Sequence, residues 1–120
     1  MNTQLYPVTG IYSDANGDSH FEDVTVPMNE AGEIGWLSSG LPVKSIIFRE
    51  VEPSYDYDFH NAPQRQYLVL IDGEIEIETS LGEIRRFKGG DVLLLEDTEG
   101  KGHRTKNIIP MRRKSLFITL

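Results

Sequence analysis

Short apolar segments separated by turn residues recur along most of this chain, and they constrain its fold more than any other feature. The segment QYLVLI (66–71) is followed by Asp72-Gly73 and then by EIEIE (74–78), EIRRF (83–87) and VLLLE (92–96). Asp-Gly between two apolar runs is a strong signal for a two-residue hairpin turn. EIEIE alternates with the period of two that a half-buried strand requires. Because helical spacing of apolar residues is nearly absent, the sequence predicts an all-β sandwich or barrel.

The same alternation predicts which side chains face the core. We expect a hairpin over residues 66–87, with one turn at 72–73 and a second at 80–82. Ile75 and Ile77 then face the core, because alternate residues of a strand share a face. The near-continuous run QYLVLI indicates a strand covered on both faces. Further strands are predicted at four segments: FEDVTV (21–26), VKSIIFREVE (43–52), GHRTKN (102–107) and KSLFITL (114–120).

The chain has 120 residues, a length that suits a single domain. We expect the barrel core to occupy about residues 43–120 and residues 1–42 to form an N-terminal strand and loop arm. Trp36 is the expected apolar anchor of that arm. No basic region followed by an apolar run opens the sequence, and no stretch approaches the roughly 18 apolar residues of a membrane helix. These observations predict a cytoplasmic protein without membrane contacts.

Composition excludes several classes of function. The chain has no cysteine, which rules out a disulfide scaffold, a thiolate zinc site, an iron–sulfur cluster and a cysteine nucleophile. Its net charge of −7 argues against a nucleic-acid partner, since such proteins usually carry a basic stripe. The segment GKGH (100–103) lacks the P-loop pattern, so no nucleotide cofactor is expected.

A homodimer is predicted from two features. One barrel interior covers only one face of the QYLVLI strand, so a second copy is a candidate for the other face. The charges are also unevenly distributed: residues 14–33 are acidic, and cations cluster near the C-terminus. These cations are expected on outward strand faces, against the acidic segment of the same fold or of a second copy. They are Lys101, Arg104, Lys106, Arg112, Arg113 and Lys114.

Polar side chains stand where an apolar strand begins, and alternation aims them inward. Gln66 shares a strand face with Leu68 and Leu70, where a glutamine would be buried without a partner unless that face lines a polar pocket. His103 shares a face with Thr105 and Asn107 of a later strand, opposite Arg104 and Lys106. With His60 just upstream, the sequence predicts a ligand pocket. Its expected lining is His60, Gln66, Leu68, Leu70 and His103.

Other polar residues have different expected roles. Arg65 follows the alternation to the opposite side, where an ion pair or subunit contact is expected. Asp97 and Glu99 lie in a glycine-bounded loop before His103 and are candidates for a general base. His20 is interpreted as a surface residue.

The stretch from His60 onward resembles the first motif of the cupin superfamily, a group of small jelly-roll β-barrels. That motif has the pattern G-x5-H-x-H-x3,4-E-x6-G. Here His60 takes the first histidine position, Ala62 the second, Gln66 the glutamate position and Gly73 the closing glycine.

A second motif, with the pattern G-x5-P-x-G-x2-H-x3-N, follows. Gly82 and Gly90 match its glycines, and Lys88 replaces its proline. His103 and Asn107 keep the H-x3-N spacing, although the gap before His103 is longer than in the pattern. The resemblance implies an antiparallel jelly-roll β-barrel, the double-stranded β-helix of cupins.

The resemblance also implies a metal site, which cupins normally build from three histidines and one glutamate. Here the matching positions leave His60, Gln66 and His103 as ligands for a divalent metal ion, because Ala62 cannot bind one. This set lacks the anionic ligand that suits non-haem iron. Asp58, two residues before His60, is an alternative source of a carboxylate.

Three functions stay open at this point, and whether the protein is an enzyme is undecided. The first is binding of a small polar or anionic organic molecule in the barrel pocket. The second is a metal-dependent cupin enzyme of the dioxygenase or isomerase type. The third is a non-catalytic oligomeric or sensory module. Fold does not separate them, because cupins host many unrelated activities.

Overall fold

The structure, a computed structural model, describes residues 4–120, and within this range every regular element is a strand. The twelve strands are β1 (Gln4–Ser13), β2 (Ser19–Met28), β3 (Glu30–Gly32), β4 (Gly35–Leu37), β5 (Ser45–Val51), β6 (Asp56–His60), β7 (Gln66–Leu70), β8 (Glu74–Thr79), β9 (Ile84–Lys88), β10 (Val92–Leu95), β11 (His103–Asn107) and β12 (Arg113–Thr119). Residues 4–120 contain no helix that could act as a transmembrane span.

Two sheets form the body of the molecule. One has six strands in the order β2-β1-β10-β7-β12-β5, and the other has four in the order β6-β11-β8-β9. Strands β3 and β4 form a separate small hairpin. Apolar side chains from both sheets make the core: Ile11, Ala62, Leu68, Leu70, Ile75, Ile77, Phe87, Leu93 and Leu95. The predicted all-β jelly-roll architecture is therefore confirmed.

The segment 66–87 is only partly as predicted. Strands β8 and β9 pair as a hairpin around residues 80–82, and Ile75 and Ile77 are fully buried, as expected. The predicted hairpin at residues 72–73 is wrong, because β7 and β8 belong to different sheets. The Asp72 carboxylate instead accepts a hydrogen bond at 2.7 Å from the backbone N–H of Lys114 in β12. Gly73, with φ +72°, makes the sharp turn that carries the chain across to the four-stranded sheet.

The N-terminal segment is part of the large sheet. Strand β2 contains the predicted FEDVTV strand and continues through Pro27, which a sheet edge tolerates. Strand β1 was not predicted, since Pro7 and Gly10 interrupt its apolar pattern. It runs parallel to β10, which makes this sheet mixed rather than purely antiparallel. Trp36, the expected anchor, is 45% exposed on β4.

Candidate functional site

A small cavity between the sheets, which we call the site pocket, has a volume of about 60 Å³. That is room for about four water-sized groups. The cavity combines apolar walls with a few nitrogen-bearing side chains, and no carboxylate is among its lining residues. These are Arg49, Tyr55, His60, Ala62, Pro63, Gln66, Leu68, Leu95, His103, Thr105 and Phe117.

The two motif histidines meet in this pocket. His60 ends β6 and His103 begins the neighbouring β11, and the two are paired in the register of these strands. Their ring centroids lie 4.7 Å apart. Tyr57 also packs against His60, with ring centroids 4.0 Å apart. The strand pairing thus holds both imidazoles at one place.

His60 is half-buried and held in one tautomer. Its Nδ1 lies 2.8 Å from the backbone oxygen of Asp58. Because a carbonyl can only accept, Nδ1 carries the hydrogen and Nε2 of the neutral ring is left as an acceptor. Burial lowers the pKa of His60 from its usual 6.5; the Asp58 hydrogen bond opposes this shift, and the nearby His103 adds to it. His60 is therefore neutral at pH 7.

His103 is oriented by a buried carboxylate that sequence reasoning had considered only as a loop base. Its Nδ1 lies 2.5 Å from Oδ2 of Asp97, and both side chains are almost completely buried. The backbone oxygen of Asp97 accepts a hydrogen bond from the Ala62 N–H, which ties the carboxylate to the strand entry beyond His60. With Nδ1 occupied, Nε2 is the nitrogen of His103 available to a ligand.

The loop over residues 96–102 is held on one side by His60. Gly102 has φ +74°, and a Cβ at this position would overlap the backbone carbonyl of His60. Only glycine fits such a left-handed position at so close an approach. The loop and β6 are therefore pressed together where the two histidines meet.

On its other side the loop contacts the turn between β1 and β2. A Cβ on Gly100 would lie 2.5 Å from the Gly17 oxygen, and Ser19 donates a hydrogen bond to the Gly102 oxygen at 2.7 Å. Lys101 forms an ion pair with Asp18 at 2.8 Å. The N-terminal strand pair thus helps to place Asp97 and His103.

Arg49 of β5 is a pocket residue that the sequence analysis did not identify. Its guanidinium lies 4.4 Å from the centroid of Phe117 and 5.7 Å from that of Tyr55, and its Nε donates to the Ser115 hydroxyl at 3.0 Å. Burial lowers its pKa. The available signal was the alternation of β5, which places Arg49 on the same face as the buried Val51.

The remaining predicted residues are distributed as follows. Gln66 is buried and, like Leu68, lines the site pocket. Leu70 lies deeper, in the apolar core, and is not a lining residue. The Asp58 side chain is exposed and accepts from the Phe59 N–H, so it touches His60 only through its backbone oxygen. Arg65 points outward, as expected, to an ion pair with Glu96 at 2.8 Å.

Two further residues lie away from the site pocket. Glu99 is exposed on the loop over residues 96–102. His20 stacks on Tyr12 and pairs with Asp14 near the β1–β2 turn.

The donors at this site do not fit the metal centre that the cupin resemblance implies. Residues 4–120 contain no cluster of three or more histidine, cysteine, aspartate or glutamate side chains placed to bind a metal ion. The pocket offers two imidazole nitrogens and the Gln66 amide, and the nearby carboxylate of Asp97 is engaged with His103. An anionic ligand, which a facial triad requires, is missing.

No family model matches this sequence, and no curated protein matches it significantly. Solved structures do resemble the fold. Protein NMB1881 from Neisseria meningitidis aligns with a TM-score of 0.50 at 16% identity, over 67% of this chain and 78% of that one. Drosophila melanogaster CENP-C bound to CAL1 aligns with a TM-score of 0.50 at 15% identity, over 90% and 72%. The Drosophila CENP-C cupin domain aligns with a TM-score of 0.47 at 15% identity, over 96% and 70%. The chain therefore shares its overall fold with these structures of NMB1881 and of CENP-C.

Proposed function

We propose that this protein is a cytoplasmic cupin that binds a small polar or anionic organic molecule in the site pocket. The observation that carries the proposal is the chemistry of the lining, which contains one guanidinium and two imidazoles but no carboxylate. Because the Arg49 guanidinium only donates hydrogen bonds and carries positive charge, such a lining favours a ligand that accepts hydrogen bonds and carries negative charge. The pocket volume limits the buried part of the ligand to about four non-hydrogen atoms.

The electrostatics of the pocket support this choice of ligand. Arg49 supplies a positive charge in a partly desolvated place, where charge–charge attraction is stronger than in water. The negative charge nearest the histidines belongs to Asp97, which is fully buried behind His103. An anion in the pocket would bind to Arg49, away from this carboxylate, and would receive a hydrogen bond from Nε2 of His60 only when that ring is protonated.

Binding is expected to shift the imidazole NMR signals of His60 and His103 when acetate is titrated into the protein. The affinity should rise as the pH falls through the lowered pKa of His60, because a protonated ring adds positive charge to the pocket. His20 is an internal control, since it lies outside the pocket and should not respond. Acetamide, the neutral analogue of acetate, should bind more weakly. If neither probe moves the two rings at millimolar concentration, the proposal is wrong.

A metal-dependent enzyme is the second candidate, because both histidines anchor Nδ1 and converge with Nε2 available. This donor set lacks an anionic ligand, because the Gln66 amide is neutral. We therefore expect wild-type protein to purify without stoichiometric metal and the Gln66→Glu variant to gain affinity for a divalent cation. Mass spectrometric metal analysis of both proteins, prepared without a His-tag, measures this. If the Gln66→Glu variant is still without metal after incubation with Mn²⁺ or Fe²⁺, the enzyme hypothesis loses its support.

We also propose a homodimer, formed through the face of the six-stranded sheet that points away from the core. Tyr67 and Val69 lie on this outer sheet face, opposite the buried Gln66, Leu68 and Leu70. Residues paired with them on β10 and β12, and the residues of β5 paired with β12, continue this apolar surface. Its members include Ile46, Phe48, Tyr67, Val69, Val92, Leu116 and Ile118.

A second copy suits this surface because a two-fold axis can bring the same apolar face of both chains together. The basic C-terminal residues contribute less than the sequence suggested: Arg112 pairs with Glu50, Arg104 with Asp56 and Lys106 with Glu76 of the same chain.

Sedimentation is expected to give twice the 13.6 kDa chain mass at micromolar concentration. Phe48→Glu should produce monomers, because Phe48 is 77% exposed on the outer sheet face and a carboxylate there would be desolvated in a dimer. Leu81→Glu is the matched control, since Leu81 is 66% exposed on the β8–β9 turn of the other sheet. A wild-type protein that sediments at 13.6 kDa would contradict the dimer. If this protein also bound no ligand, the hypothesis of an oligomeric module would be weakened as well.

A further inference from the structure

Arg113, at the start of β12, is a fully buried cation with unused hydrogen-bonding capacity. Its Nε donates to the Asn107 side-chain oxygen at 2.9 Å. Both Nη1 and Nη2 are buried and have no partner within residues 4–120. Burial lowers its pKa to about 10, and the nearby Arg49 contributes to that shift. A buried guanidinium without an ion-pair partner is costly, and an anion bound close to it would offset part of that cost.

The fold makes room for this arginine. A Cβ on Gly73 would lie 2.9 Å from Cδ of Arg113, so the turn after β7 has to be glycine for the side chain to pass. The charge of Asp72 favours the protonated form of Arg113, but the Asp72 carboxylate accepts its hydrogen bond from the Lys114 N–H. Arg113 thus lies inside the sandwich without an ion pair to that carboxylate.

Arg49 approaches the same tyrosine from another strand. The guanidinium carbon of Arg113 lies 5.5 Å from the ring centroid of Tyr55, and that of Arg49 lies 5.7 Å from it. Within residues 4–120, neither arginine has a carboxylate within ion-pair distance. Two buried like charges near one ring repel each other, and an anion between or beside them would offset that repulsion.

Arg49 and Tyr55 also line the site pocket, which connects this pair of cations to the two histidines. We propose that Arg49, supported by the charge of Arg113, binds the carboxylate of a small organic acid in the site pocket, with the rest of the acid facing His60 and His103. This inference rests on the proposed function and specifies its ligand class. A planar carboxylate matches the fork of a guanidinium, which can donate two parallel hydrogen bonds to it.

The test compares acetate, acetamide and inorganic phosphate by NMR titration of wild-type protein and the Arg49→Gln, Arg49→Lys and Arg86→Gln variants. Arg49→Gln should weaken acetate binding about tenfold or more, because a charged hydrogen-bonding partner is lost, and should leave acetamide binding unchanged. Arg49→Lys keeps the charge but loses the fork, so its acetate affinity should be intermediate. Arg86→Gln, on an exposed side chain of β9, is the matched control and should behave like wild type.

The outcomes separate this inference from the proposed function. If acetate shifts the His60 and His103 signals equally in wild type and Arg49→Gln, the carboxylate subsite is wrong and the pocket remains a binding site. If phosphate binds more tightly than acetate and depends equally on Arg49, the ligand is an inorganic oxyanion and the organic-acid assignment is overturned. If no probe shifts either ring in the wild type, the proposed function itself fails.

Discussion

Replacing Gly102 by alanine is expected to lower the free energy of unfolding by about 3 kcal/mol and to disturb the His60 and His103 ring signals. Two costs add at this position. The backbone has φ +74°, where a side chain costs about 1–2 kcal/mol. The added Cβ would also overlap the carbonyl of His60, which is backbone and cannot rotate away. Urea denaturation followed by circular dichroism measures the loss.

Alanine variants of two other glycines distinguish the cost of the positive φ from the cost of the steric overlap. Gly82 has φ +90° but no atom within 4 Å of an added Cβ, so Gly82→Ala should show the conformational cost alone. Gly40 has open space and no positive φ, so Gly40→Ala should change stability little. A Gly102→Ala protein no less stable than Gly82→Ala would show that the loop does not pack closely against β6.

Replacing Asp97 by alanine is expected to destabilise the protein by about 2–3 kcal/mol. The substitution leaves the buried Nδ1 of His103 without a partner and opens a small cavity. Glu99→Ala is the matched control, because this carboxylate lies two residues away on the same loop but is exposed. Its effect should stay within about 0.5 kcal/mol. Denaturant unfolding of both variants gives the comparison.

The Asp97→Asn variant adds a readout that a purely packing role would not affect. In the wild type the carboxylate accepts from Nδ1–H, so Nδ1 of His103 should carry a hydrogen in nitrogen NMR spectra. An asparagine in this place can donate as well as accept, so the tautomer population should change. An unchanged tautomer together with unchanged stability would show that Asp97 does not orient this ring.

Local pattern predicted the parts of the fold that depend on neighbouring residues. The alternation of EIEIE placed Ile75 and Ile77 in the core, and that of HRTKN placed His103 and Thr105 inward. Partner choice between strands depends instead on residues far apart in sequence. For this reason the Asp-Gly turn was assigned to a hairpin, although it carries the chain between sheets, and the parallel pairing of β1 with β10 was not foreseen.

The candidate site divides in the same way. Motif spacing indicated that His60 and His103 approach each other, and the register of β6 and β11 agrees with that. Sequence patterns did not indicate that the charged residues discussed next are buried. An arginine in a strand is ordinarily exposed, so the sequence analysis did not identify Arg49. The expectation that Arg113 lies on an outward strand face is wrong, because its side chain is fully buried. Asp97 looked like a solvated loop acid, because only the tertiary fold closes the loop over it.

The contact between the β1–β2 turn and the loop that carries Asp97 has a consequence for shortening or recombining this chain. Both stretches that resemble cupin motifs lie within residues 60–107, but the loop that precedes His103 contacts Gly17, Asp18 and Ser19. A fragment limited to residues 60–107 would lose these contacts and also strand β1, which pairs with β10. Transplanting the histidine pair into another scaffold therefore requires the first strand pair to move with it, although those residues contribute no atom to the pocket wall.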